Sequence, residues 1–201
     1  MLAVLTLCFA ALPCMAQSEA QMRSQINKAA AQLSSMQCDF VQTKHLKMLN
    51  KSMVSNGKMY YQKSNKLRWE YTTPYKYTFI LNGSKALVKN NNRTDVMDTN
   101  KNRMMKEIGR VMMNTVMGNC LQNDKDFKTS ITATQTEYVA TLLPQRKDIK
   151  SMFQKIILHF NRKNSMVSSV ELVEKNGDRT VIELKNVKTN VSISQSMFAV
   201  G

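Results

Sequence analysis

The chain is poor in the residues that do bond chemistry. It has two histidines, His45 and His159, far apart in sequence, and 14 acidic residues against 29 Lys and Arg. There is no Gly-x-Ser-x-Gly elbow, no phosphate-binding Gly-Lys loop and no His-Glu-x-x-His. The acids lie mostly beside Lys or in turns, with no pairing suited to acid–base work. Both histidines read as surface or strand residues. Two Cys and two His could in principle hold zinc, but no pair has ligand spacing. No enzyme activity, metal or cofactor is expected. A small exported hydrolase or inhibitor has no constellation of residues behind it. No internal repeat or low-complexity linker divides the chain.

Charge is also missing from residues 1–16, MLAVLTLCFAALPCMA. This run is too short to span a bilayer comfortably and ends in small residues. It reads as the apolar core and cleavage site of a signal peptide, with Cys14 and Ala16 at the small positions. The basic segment that usually precedes such a core is absent, so the true start can lie upstream of Met1. A lipoprotein signal built on Cys14 is the rival reading, which Leu12 and Pro13 fit poorly. Residues 17–201 then form one domain of ordinary size, exported and soluble in the periplasm, with no further run of transmembrane length. Cys8 and Cys14 leave with the signal. Cys38 and Cys120 either pair in the oxidising compartment or stay as two separate buried thiols.

What is abundant is positive charge and methionine. The formal net charge is +15, and Asp39–Arg68 carries seven Lys or Arg and one acid. Export and the dispersal of these cations argue against nucleic acid. Lys44, Lys47, Lys51 and Lys58 are instead candidates for docking to an acidic partner or an anionic membrane.

Periodicity gives the organisation. Ser18–Met36 reads as a helix, with Met22, Ile26, Ala29, Ala30 and Leu33 on one stripe. From Cys38 the period becomes two, with a strand at Asp39–Thr43 and a basic turn near Asn50-Lys51. Asn56-Gly57 has turn chemistry, and Ser64-Asn65 closes a hairpin between Met59–Gln62 and Leu67–Tyr71. Pro74 interrupts, Tyr75, Tyr77, Phe79 and Leu81 alternate, and Asn82-Gly83 turns the chain back into Ala86–Val88. Asn90–Asn92 reads as a polar loop. Lys101–Gly118 reads as a helix. Strands follow at Phe127–Thr134, Tyr138–Leu143, Ser151–Phe160, Met166–Glu174, Arg179–Lys185 and Ser192–Phe198. This order suits an open or partly closed antiparallel barrel with helices across one mouth.

Gly57–Gly83 holds the only Trp and five of the six Tyr. Leu67, Trp69 and Tyr71 share one strand face, and Tyr75, Tyr77 and Phe79 another. Any one of them could fill an ordinary core. The helix beyond is apolar around a broad face of Met104, Met105, Ile108, Val111, Met112 and Val116, widened by Met113 and Met117. Met is flexible and polarisable and suits a surface that repacks around variable guests. Gly109 weakens that helix by about 1 kcal/mol relative to Ala. Together these features suggest a sheet that hides something greasy beneath a replaceable lid.

The order of motifs resembles the periplasmic lipoprotein carrier family, LolA. Asp39-Phe40-Val41-Gln42-Thr43 is similar to the family's A-x-F-x-Q, and Gly57–Tyr61 follows. Leu67-Arg68-Trp69-Glu70-Tyr71 is similar to F-R-W-x-Y, Pro74 comes next, and Asn82-Gly83 stands in place of D-G. Ser196-Met197-Phe198 resembles the final F-x-F strand. The resemblance implies a mainly β, α+β fold, an incomplete antiparallel barrel with a helical lid over an apolar cavity. It implies a monomeric carrier that takes acylated lipoproteins from an inner-membrane releasing ABC transporter complex to an outer-membrane acceptor. Leu67 and Trp69 fall in its cavity region, and Met59, Tyr61, Tyr71, Tyr77 and Phe79 extend that set. The family's Arg-Pro after the first hairpin strand, whose Arg bonds the lid, is Lys63-Ser64 here. Lys is a point charge rather than a planar fork of donors, and Lys63 and Arg68 are the candidate lid contacts. The family's C-terminal extension is expected to be short or absent. The alternative within the same superfamily is a lipid or glycolipid binder, or an envelope-stress sensor.

Overall fold

The computed structural model describes residues 17–102, 109–110, 112–114, 121 and 125–200. The signal-peptide reading of residues 1–16 therefore lies outside the described residues. Helix α1 (Glu19–Gln32) starts at a reciprocal cap: the Gln21 amide donates to Ser18 Oγ, and the Ser18 amide donates to Gln21 Oε1. Its buried residues Met22, Ile26 and Ala30 recur every fourth position. The helix stops four residues before the expected Met36. Leu33 is already extended, and the Ser34 amide and hydroxyl both donate to Asn190 Oδ1.

Eleven strands follow: β1 (Ser35–Leu46), β2 (Lys51–Gln62), β3 (Lys66–Thr73), β4 (Tyr77–Asn82), β5 (Lys85–Asn90), β6 (Thr94–Asp98), β7 (Phe127–Ala133), β8 (Glu137–Pro144), β9 (Phe153–Asn161), β10 (Val167–Glu174) and β11 (Arg179–Thr189). They make one antiparallel sheet in the order β6-β5-β4-β3-β2-β1-β11-β10-β9-β8-β7. The two chain halves meet where β1 pairs with β11. Among the described residues β6 and β7 are edge strands that do not pair with each other, so the barrel is incomplete.

Four details depart from the sequence pattern. Asn56-Gly57 is no turn: β2 runs straight through it, with a bulge against β3 between these two residues. A Cβ on Gly57 would lie 2.3 Å from Phe40 Cζ and 2.1 Å from the Glu70 carbonyl oxygen. The glycine serves close approach. Strand β6 falls where the sequence shows no apolar alternation, and its burial pattern is exposed at every other residue. Lys101 and Asn102 are not helical but close a turn onto the Asp98 carbonyl. The segment starting at Ser151 is still a short helix, Lys147–Met152, before β9 begins.

The last correction concerns Ser192–Phe198, which is not a strand. β11 already has β1 and β10 on its two sides, so the segment cannot pair with the strand it follows. The tail instead crosses the outer face of the sheet, with a 3-10 turn at Gln195–Phe198. There Ile193, Phe198 and Val200 pack on Ile80 and Leu87. Asn82 Nδ2 donates to the Phe198 carbonyl at 3.0 Å.

On the inner face lie two clusters. One joins Met22 and Ile26 of α1 to Phe127, Ile131, Leu142, Ile156, Leu158 and Phe160 of β7–β9. The other joins Met36, Phe40, Met59, Leu67, Trp69, Phe79 and Leu81 of β1–β4 to Leu33 and Met113.

Candidate functional site

Strand register assembles the site. Three rows run side by side across the inner face. Cys38, Met59, Trp69, Phe79 and Val88 form the middle row. Met36, Tyr61, Leu67, Leu81 and Ala86 form the row on one side, and Phe40, Gly57, Tyr71 and Tyr77 that on the other. All seven residues expected in the cavity, Met59, Tyr61, Leu67, Trp69, Tyr71, Tyr77 and Phe79, thus share one face. Alternation along each strand puts them there.

One member of this face, Phe40, escaped the sequence reading as a site residue. It stacks on Trp69 with centroids 4.3 Å apart and meets Tyr71 edge-on at 5.2 Å. Its ring lies over Gly57, where any side chain would displace it. The motif Asp39–Thr43 contained Phe40, but nothing local marked it as the centre of an aromatic stack. From Phe40 the aromatic lane continues through Tyr71 to Tyr75 and Tyr77, at 5.6 and 6.1 Å. Tyr75 itself is exposed, so the lane reaches from the buried Trp69 to solvent.

The face is electrically quiet. Burial pushes the Tyr61, Tyr71 and Tyr77 phenols above their ordinary range. Burial, with a smaller push from the neighbouring Asp39 carboxylate, raises the Cys38 thiol to about 12. Cys38 is a free, buried thiol. Its candidate partner Cys120 lies outside the described residues. These phenols and the Cys38 thiol are therefore protonated at neutral pH. Among the described residues no three His, Cys, Asp or Glu side chains are placed to hold a metal.

Of the candidate lid residues, Met104, Met105, Ile108, Val111 and Val116 lie outside the described residues. Residues 109–110 and 112–114 are helical. Met113 is buried in the aromatic cluster and Met112 packs beside it. Gly109 has a role beyond weakening the helix. A Cβ there would sit 2.9 Å from Leu81 Cδ2, so the glycine lets the segment press onto β4. An ion pair fixes it laterally, from Arg110 Nη1 to the buried Asp126, which also faces Arg146 at 3.5 Å.

A cavity of about 740 Å³ opens between this segment, the last turn of α1 and the β2–β3 and β4–β5 turns. Ala30, Leu33, Tyr61, Leu81 and Met113 form its apolar wall; Lys63, Asn65, Thr99, Arg110 and Asn114 line its polar parts. That volume is in the range of small-molecule sites. Met59, Trp69 and Phe79 lie deeper and are closed over by their neighbours. Lys63 stands at this mouth together with Arg110 of the helical residues 109–110. Arg68 does not face the lid. Strand alternation turns it to the outer face, where it pairs with Glu70 at 2.9 Å and donates to the Met197 carbonyl at 3.4 Å.

A model of the family "Outer membrane lipoprotein carrier protein LolA" matches residues 31–201. The outer-membrane lipoprotein carrier protein of Methylococcus capsulatus is 20% identical over 182 residues, covering 90% of this chain and 84% of that one. An uncharacterized conserved protein from Thermus thermophilus superposes with a TM-score of 0.54 at 8% identity, over 90% of this chain and 93% of that chain. A chain of the Pseudomonas aeruginosa MucA/MucB complex gives 0.51 at 9% identity, over 91% of this chain but 61% of that chain. The chain belongs to the LolA family of outer membrane lipoprotein carrier proteins.

Proposed function

We propose that this protein is an exported, single-domain, non-enzymatic carrier of acylated lipoproteins. It would receive them from a releasing transporter at the inner membrane and deliver them to an acceptor at the outer membrane. The observation that carries this reading is the inner face of β1–β5. It is apolar and aromatic, its Cys38 thiol and Tyr61 phenol are protonated at neutral pH, and it is partly covered by a helical segment through Met112 and Met113. Each buried methylene contributes about 0.8 kcal/mol, so about a dozen acyl carbons would supply roughly 10 kcal/mol before ordering costs. Such affinity comes with ready release only if the cover can open. A helical segment that meets the sheet through thioether contacts supports that. Shared family membership with a named lipoprotein carrier supports the choice of cargo.

The test is native mass spectrometry of protein purified from its own envelope, followed by lipid extraction. A triacylated lipoprotein bound one to one is the expected result, reduced in Met113→Glu. A free phospholipid or glycolipid in its place would move the function to a lipid binder. Protein that is empty from every preparation would remove the cavity reading.

A further inference from the structure

The β1–β2 hairpin reaches past its neighbour β3. β11 accompanies β1 as far as His45, and β3 accompanies β2 only to Asn56. Among the described residues, no strand pairs with residues 51–55 of β2 on the side away from β1, and the tip stands about 17 Å beyond the last β3 pairing. Met53 and Val54 are consecutive strand residues on opposite faces, yet each is 52% exposed. Both sides of the strand are therefore about half open to solvent at this point. At the turn itself Met48 is 92% and Leu49 63% exposed.

Neighbouring loops extend this apolar rim. Tyr75 projects from the β3–β4 connection at the same end of the sheet. On the other side the β10–β11 turn touches the hairpin. Asp178 Oδ1 accepts from the Lys47 amide at 2.9 Å, and the Lys47 stem lies against Gly177. The Lys175 amide in turn donates to the carbonyl of Met152, which is 52% exposed.

Charge tells what covers the rim. Lys47, Lys51, Lys76 and Lys175 are all exposed there, and none makes an ion pair among the described residues. The two nearby acids are already engaged: Glu174 is paired with Lys44 at 3.0 Å, and Asp178 is buried and hydrogen-bonded. Lys58, grouped with these lysines by sequence, lies elsewhere on the outer face beside Tyr60 and Asn186. Apolar side chains ringed by unpaired cations match the boundary of an anionic bilayer, where acyl chains take the former and headgroups the latter.

We propose that the β1–β2 hairpin tip, with Met48 and Leu49 as the inserting pair and Lys47 and Lys51 as headgroup contacts, docks this protein onto an anionic lipid bilayer. The inference does not depend on the identity of the cargo. It places the exposed end of the aromatic lane, Tyr75, next to the membrane.

Co-sedimentation of the protein with vesicles of phosphatidylethanolamine and phosphatidylglycerol, against phosphatidylcholine alone, tests it. Binding should favour the anionic vesicles by at least about tenfold, since each lysine at such a surface contributes about fivefold. It should weaken as salt rises. Met48→Glu/Leu49→Glu and, separately, Lys47→Glu/Lys51→Glu should each lose most of it. The native mass spectrum of each variant should keep the parent's cargo, which separates loss of docking from loss of the cavity. Both pairs are exposed, and an unchanged circular dichroism melt confirms folding. Parent-like binding by the Met48/Leu49 variant, or equal binding to both vesicles, would overturn the proposal. So would a concentration-dependent dimer that the same variant abolishes, because the rim would then belong to a second copy.

Discussion

The two halves of the inner face are built from different materials. Around β7–β10 the core is mostly aliphatic, Ile131, Leu142, Ile156, Leu158, Val167 and Val170, with Phe127, Tyr138 and Phe160 among them and the capped helix α1 sealing it through Met22 and Ile26. Around β1–β5 it is aromatic and thioether: Phe40, Trp69, Phe79, Tyr61, Met36 and Met59, covered by Met112 and Met113. Ile182 and Leu184 of β11 pack against both. Branched aliphatic side chains fix one packing, whereas Met and stacked rings tolerate several. If the carrier proposal holds, the aliphatic half keeps one packing while the aromatic half takes up and releases the guest.

Substitutions can break this contrast. The largest effect is expected in the aliphatic half. Leu158→Ala removes a fully buried side chain and should cost about 2–5 kcal/mol of stability in urea unfolding, while leaving cargo bound to the folded fraction unchanged. If Leu158→Ala instead empties the protein without destabilising it, the division of labour is wrong.

Gly57→Ala strikes the aromatic half. Its new Cβ meets the Phe40 ring and a backbone oxygen that cannot rotate away. A loss of about 1–3 kcal/mol is expected, with a changed near-ultraviolet signal from Trp69. An unaltered Trp69 signal would mean that the stack on Phe40 does not depend on Gly57.

Gly109→Ala is gentler. The helix gains about 1 kcal/mol of propensity, but the methyl meets Leu81 Cδ2, the mobile end of a side chain. Stability should stay within about 1 kcal/mol of the parent, while exchange of a bound fluorescent acyl probe changes in rate. Unchanged exchange would remove Gly109 from the lid mechanism.

The smallest effect is a pH slope. Cys38 is raised from 9.0 to about 12 on folding, so the folded state holds its proton where the unfolded state has lost it. Its contribution is whole below pH 9.0 and shrinks as the pH rises toward about 12. Denaturant midpoints measured across that window should fall less steeply in Cys38→Ala than in the parent. Equal slopes would show that the thiol is not coupled to folding.

The alternation of Met59, Tyr61, Leu67, Trp69, Tyr71, Tyr77 and Phe79 was legible in the chain, because side chains on a strand change face at each step and an apolar partner needs one face. So was α1, whose cap and stripe are local. The sequence also determined the turn at Ser64-Asn65, where both residues adopt positive φ. Other features depended on distant partners. Asn56-Gly57 carries the letters of a turn, yet it is mid-strand because Phe40, from another strand, needs the space above it. Arg68 was expected at the lid, but the tail that accepts its hydrogen bond crosses the outer face. Ser192–Phe198 alternates like a strand, but both sides of β11, the strand it follows, are already taken. Local periodicity determined which side chains stand together on a strand. Which strands are neighbours, which face is inside and what lies across it were decided only by tertiary packing, because those contacts join residues that no short window of sequence contains.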